Sequence, residues 1–112
     1  MGKLNNKNAL ITGASSGIGK RVAQLFAEEG ANVAINYPNS SEQKKAEQIK
    51  LELERSNYSA ITLEGDVSNE NETGDMVQQF IKEFGQIDIL VNNAGIGQTS
   101  FIEDMTIEMW DG

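Results

Sequence analysis

The chain has 112 residues, a net charge of −8, and neither cysteine nor histidine. That length suits one α/β domain, and the composition excludes a disulfide framework, a thiolate metal site and the commonest general base. The acidic balance argues against a nucleic-acid partner; with no apolar run of membrane-spanning length and no signal-peptide core in residues 1–8, a cytoplasmic protein is expected.

Residues 8–12 (NALIT) predict a short buried strand, closed by Gly13. Residues 17–29 predict a helix: Ile18, Val22, Leu25 and Phe26 recur at helical spacing, and Gly30 stops it. A second strand covers 32–36 (NVAIN) and ends before Pro38, which lacks the donor that a central strand needs. Residues 40–55 predict a second helix, with Ser40 and Gln43 as a capping box and Ala46, Ile49, Leu53 and Leu51 as its apolar side.

A third strand is expected at 59–63 (SAITL), then a helix capped by Ser68 or Asn69 and running to Phe84. Its anchors are Met76, Val77, Phe80, Ile81 and Phe84; Gly74 weakens its first half by about 1 kcal/mol relative to alanine. Residues 87–91 (IDILV) predict a fourth strand, a polar loop follows, and Thr106 caps a final short helix. The order β-α-β-α-β-α-β implies parallel strands joined by right-handed crossovers. No repeat or linker divides the chain.

The loop LITGASSGIGKRVA raises the first chemical question. A strand feeding a helix through a short loop makes an anion site, because the first-turn amides lack internal partners and carry the positive end of the helix dipole. Gly13 allows the sharp turn, Gly17 lets a pyrophosphate approach the backbone, and Gly19 lets the helix lie close to the strand. Ser15 and Ser16 offer hydroxyls at the same mouth. A tight turn with no ligand is the bland alternative, since a glycine triplet alone is a weak signal.

Two further strand ends point the same way. Ligands in an open parallel sheet lie beyond the carboxyl ends of the strands. Asp66, in GDVS, offers a carboxylate to an adenine amino group, or merely a turn. Asn92 and Asn93, in NNAGIG, can tie neighbouring strand ends together, while Ala94 and Gly95 leave room for a sugar or ring.

With these residues in place, the chain resembles the short-chain dehydrogenase/reductase family. TGASSGIG (12–19) matches that family's T-G-x-x-x-G-x-G motif, and NNAG (92–95) its second motif. GDVS (65–68) and GQIDILVNNAG (85–95) fit as well, and the style is nearest to its 3-oxoacyl-carrier-protein reductases and glucose 1-dehydrogenases. The resemblance implies a Rossmann-type, doubly wound parallel sheet, of which residues 1–112 supply the dinucleotide-binding, N-terminal portion. It implies that Gly13, Ser15, Ser16, Gly17, Ile18 and Gly19 line pyrophosphate and ribose, that Asp66 and Val67 hold adenine, and that Asn93, Ala94 and Gly95 border the nicotinamide ribose. Asn92 braces the sheet.

The ribose 2′ position falls at the end of the second strand. Asn36, Tyr37, Pro38, Asn39 and Ser40 stand there, with no carboxylate to bind two free hydroxyls or repel a phosphate. That favours NADP, with NAD left open. Lys20 and Arg21 follow the loop and read first as helix-surface charges.

The family's catalysis resembles a tyrosine proton carrier assisted by a lysine four residues later. A phenol whose ordinary pKa is about 10 must be lowered to act as a base. Here Tyr37 and Tyr58 are followed at that spacing by Ser41 and Thr62. No catalytic residue and no metal ligand is assigned. Gln98, Thr99 and Ser100 are candidates for a substrate rim.

The expectation is the N-terminal part of an oxidoreductase that moves hydride between a nicotinamide cofactor and an alcohol or ketone, inactive alone. A non-catalytic dinucleotide-binding module and a non-functional truncated product are the alternatives. The fourth strand, apolar and at an edge, is expected to invite self-association.

Overall fold

The computed structural model describes residues 2–15, 17–93 and 106–109. Strands β1 (Asn8–Ile11), β2 (Asn32–Tyr37), β3 (Ala60–Glu64) and β4 (Ile89–Asn92) alternate with helices α1 (Gly17–Glu28), α2 (Gln43–Arg55) and α3 (Glu70–Phe84). A fifth strand, β5 (Thr106–Met109), closes the order. The sheet runs β3-β2-β1-β4-β5. Its first four strands are parallel, and Leu10 of β1 sits between Ala34 of β2 and Leu90 of β4.

Alternation along the strands builds two layers. Ala9 and Ile11 of β1 with Val33 and Ile35 of β2 face one side, where Val22, Ala23 and Ala27 of α1 and Ala46, Ile49 and Leu53 of α2 cover them. Leu10, Ala34 and Leu63 face the other side and meet Met76 and Phe80 of α3. Helices on both faces of a parallel core are the doubly wound arrangement, and it leaves the carboxyl ends of β1 to β4 along one edge.

Several local expectations change. Asn39, not Ser40, opens the second helical segment: its side chain accepts from the Ser41 amide and starts a 3-10 turn at Ser40–Glu42. The α-helix proper begins at Gln43 with no side-chain cap. Asn69 caps α3 by accepting from the amides of Asn71 and Glu72. Leu25, Leu51 and Ile81 sit at helical spacing but face outward, each at least 42% exposed.

The end of the chain differs most. Thr106 does not cap a helix: residues 106–109 form β5, antiparallel to β4, with Ile89 opposite Met109 and Asn92 opposite Thr106. The strand β4 is therefore not the edge that its apolar run suggested. An uncovered β4 would present a row of unpaired amides and carbonyls, and β5 pairs them. A four-residue stretch with Thr and Ile carries too little period to settle helix against strand, and β-branched residues suit the latter.

Candidate functional site

The loop after β1 begins at Thr12, whose amide donates to the Val91 carbonyl at 3.0 Å. The Thr12 hydroxyl accepts from the Asn93 amide at 2.9 Å. These bonds fix the end of β4 against the start of the glycine loop. Gly13 and Gly17 both have φ of +61°, a conformation that side-chain-bearing L-residues adopt only at a cost. They turn the chain from strand into helix.

The third glycine answers to packing. A Cβ at Gly19 would lie 2.5 Å from Asn93 Nδ2 and 2.6 Å from the Gly13 oxygen. A Cβ at Gly17 would meet nothing within 4 Å. Gly17 thus borders open space at the amino end of α1, while Gly19 is closed in. The first turn of α1 carries no acidic residue, so no side chain of its own opposes an anion there.

Asn36 knits the edge together from below. Its Oδ1 accepts from the Gly13 amide at 3.0 Å, and its Nδ2 donates to the carbonyls of Gly65 at 3.0 Å and Leu63 at 3.2 Å. It is 1% exposed and rests on the Met76 sulfur. Asn36 therefore holds the glycine loop to the loop after β3, its amide spent on protein groups. Tyr37 points into the α1/α2 layer. Burial first, and then the charge of Glu64, push its phenol above the ordinary value, the opposite of what a proton carrier needs.

Above Asn36 lies a cavity of about 400 Å³ lined by Gly13, Pro38, Gly65, Asp66 and Val67. Asp66 Oδ1 accepts from the Ser68 hydroxyl at 2.7 Å and its amide at 2.9 Å. Those two bonds, the hydroxyl first, hold its carboxyl below the usual carboxylate range, so it is an ionised acceptor at neutrality. Ile18 is half-buried against the α1/α2 layer.

Asn93 is buried, and its Nδ2 donates to the Gly13 carbonyl at 3.0 Å. Its Oδ1 is buried with no partner among the described residues. The bracing expected of Asn92 falls largely to Asn93, since Asn92 is exposed and only 3.4 Å from the Thr12 hydroxyl. Ser16, Ala94 and Gly95, with the rim candidates Gln98, Thr99 and Ser100, lie outside the described residues.

One contact at the loop escaped the sequence reading, that of Glu42. Ser15 is buried, and its hydroxyl donates to Glu42 Oε1 at 3.2 Å. Glu42 Oε2 in turn lies 3.4 Å from Lys45 Nζ. An acidic residue about twenty positions beyond a glycine loop was the available signal. Among the described residues no cluster suits a metal ion, and no helix is long and apolar enough to cross a membrane.

An open glycine at a helix amino end and a walled cavity beside it fit a dinucleotide. The family model for short chain dehydrogenases matches residues 7–112. The chain belongs to that family. It is 40% identical over 106 residues to the 3-oxoacyl-[acyl-carrier-protein] reductase FabG of Staphylococcus epidermidis, covering 95% of this chain and 43% of that protein. The Staphylococcus aureus FabG gives 40% over 105 residues, or 94% and 42% of the two chains.

Solved structures of similar proteins agree. A hydroxysteroid dehydrogenase from Escherichia coli superposes with a TM-score of 0.74 at 35% identity, over 80% of this chain and 36% of that one. A dehydrogenase/reductase from Sinorhizobium meliloti gives 0.78 at 33% identity, over 90% and 39%. The chain thus spans less than half the length of these short chain dehydrogenase relatives.

Proposed function

We propose that this chain is the cofactor-binding part of an NAD(P)-dependent oxidoreductase, one that moves hydride between a nicotinamide and an alcohol or ketone. The observation that carries the reading is the contrast within the glycine loop: Gly19 packed against Asn93 and Gly13, Gly17 open to the helix amino end. Such a mouth accepts a pyrophosphate, and the cavity over Asn36 accepts the adenosine half.

NADP is the favoured cofactor, because residues 36–40 bring no carboxylate to the ribose 2′ position. The activity for which the FabG relatives are named, reduction of a 3-oxoacyl group on a carrier protein, is one instance of the proposed chemistry. Neither Tyr37 nor Tyr58 begins a Tyr-x-x-x-Lys sequence, so these residues alone bind without turning over. The test is NADPH fluorescence in the presence of the chain, with and without a ketone. Enhanced, saturable emission that a ketone does not discharge supports the reading. Unchanged emission, or steady oxidation of NADPH, contradicts it.

A further inference from the structure

Asn69-x-x-Glu72 has the spacing of a capping box, in which the glutamate reaches back to the amide of the cap residue. Here that amide is already engaged, because Asn69 donates it to the Asp66 carbonyl at 2.9 Å. Glu72 Oε1 instead accepts from the Asp66 amide at 3.1 Å, six residues back. The first turn of α3 therefore holds the loop after β3. The Thr73 hydroxyl adds a second tie, donating to the Val67 carbonyl at 3.3 Å. On the sheet side the Gly65 amide donates to the Tyr37 carbonyl at 2.9 Å, and the Gly65 carbonyl accepts from Asn36.

Asp66 sits between these anchors and lines the cavity assigned to the adenosine half. Ser68 engages its Oδ1 twice, and an ionised carboxylate keeps a second oxygen to accept with. We propose that Glu72 is a positioning residue for adenine: by holding the Asp66 amide it aims the Asp66 carboxylate at the adenine amino group. The inference rests on the dinucleotide reading above. Glu72 itself is exposed and touches the coenzyme only through Asp66. An acceptor fixed in advance selects adenine, whose amino group donates, over hypoxanthine, which carries an acceptor oxygen at that position. With the Asp66 amide released, the carboxylate must be ordered at the moment of binding, and the selection weakens.

The experiment titrates the 112-residue chain, E72A and E72Q with NADPH and with its hypoxanthine analogue, by calorimetry. The unsubstituted chain is expected to bind NADPH about tenfold more tightly than the analogue, the worth of one hydrogen bond to a charged group. E72A is expected to lower that ratio to about twofold or less, while E72Q, which keeps an acceptor oxygen of the same reach, retains it. General weakening lowers both affinities together and leaves the ratio unchanged, so the ratio is the deciding readout. Amide hydrogen exchange without coenzyme gives a second one: the Asp66 amide should exchange faster in E72A and close to the parent rate in E72Q. Equal binding of the two coenzymes by the unsubstituted chain, a ratio unchanged in E72A, a ratio lost in E72Q, or an Asp66 amide indifferent to E72A overturns this inference alone. Binding of neither coenzyme by the unsubstituted chain overturns the dinucleotide reading and this inference with it.

Discussion

The Asn93 side chain donates to the Gly13 carbonyl at 3.0 Å, joining the end of β4 to the loop that follows β1. This bond runs between two motifs eighty residues apart and fixes the width of the site between them. Replacing Asn93 with alanine leaves a partly buried carbonyl unpaired and is expected to cost about 1–3 kcal/mol of stability. It also unties the end of β4 from the glycine loop. Urea unfolding together with NADPH titration checks both effects; a variant as stable as its parent, with equal affinity, contradicts the assigned role.

Gly17 and Gly19 are expected to separate binding from folding. Alanine at Gly17 meets no atom but must hold a φ of +61°, costing roughly 1 kcal/mol, and its methyl group enters the space left for a phosphate. Alanine at Gly19 collides with Asn93 and with the Gly13 backbone, an overpacking of about 1–3 kcal/mol or more. Gly17→Ala should lose most of its NADPH affinity while folding; Gly19→Ala should lose stability first. Thermal melts and titrations that rank the two variants the other way contradict this division.

Asn36→Leu tests the tie under the site. The substitution keeps the volume but strands the Gly13 amide and the Gly65 carbonyl, at a cost of about 1–3 kcal/mol for each buried group left unmade. Amide hydrogen exchange is the direct check: the Gly13 amide should lose protection more than the amides of the β1 interior. Equal loss across both would mean general destabilisation rather than a released loop.

The pH response of Asp66 has a definite sign. Its folded pKa lies below the ordinary 3.8 because the Ser68 hydroxyl and amide favour the charged form. A carboxyl lowered on folding contributes stability above its unfolded pKa and loses that contribution as pH falls through the folded value. Its effect is therefore complete above about pH 4 and fades only in stronger acid. A carboxyl NMR titration should place the midpoint below 3.8, and Ser68→Ala should raise it. A midpoint at or above 3.8 that ignores Ser68 contradicts the geometry.

The parallel strands and three helices were legible because each carries a clean period or a clear stop: Gly30 after α1, Asn69 before α3, Pro38 after β2. The glycine loop was legible for the same reason, since Gly13, Gly17 and Gly19 answer to backbone demands that no other residue meets as cheaply. Asn36 was harder. At the end of an apolar strand it reads as a residue facing the cofactor; it does line the cavity after β3, but its amide also ties the two loops together beside Met76, which the sequence does not show. Glu42 was hidden because its reach depends on the 3-10 turn, and that turn depends on Asn39, not on the Ser40 capping box. The strand β5 was hidden because its four residues acquire their conformation from β4, a partner distant in sequence.

Isothermal titration of NADPH, and separately NADH, into the 112-residue chain is the most direct test of the central claim that the amino end of α1 holds a dinucleotide pyrophosphate. The account predicts saturable heat that Gly17→Ala abolishes while the circular dichroism spectrum stays that of the folded chain. Absence of heat with both coenzymes, or heat that survives the Gly17 substitution unchanged, would contradict it.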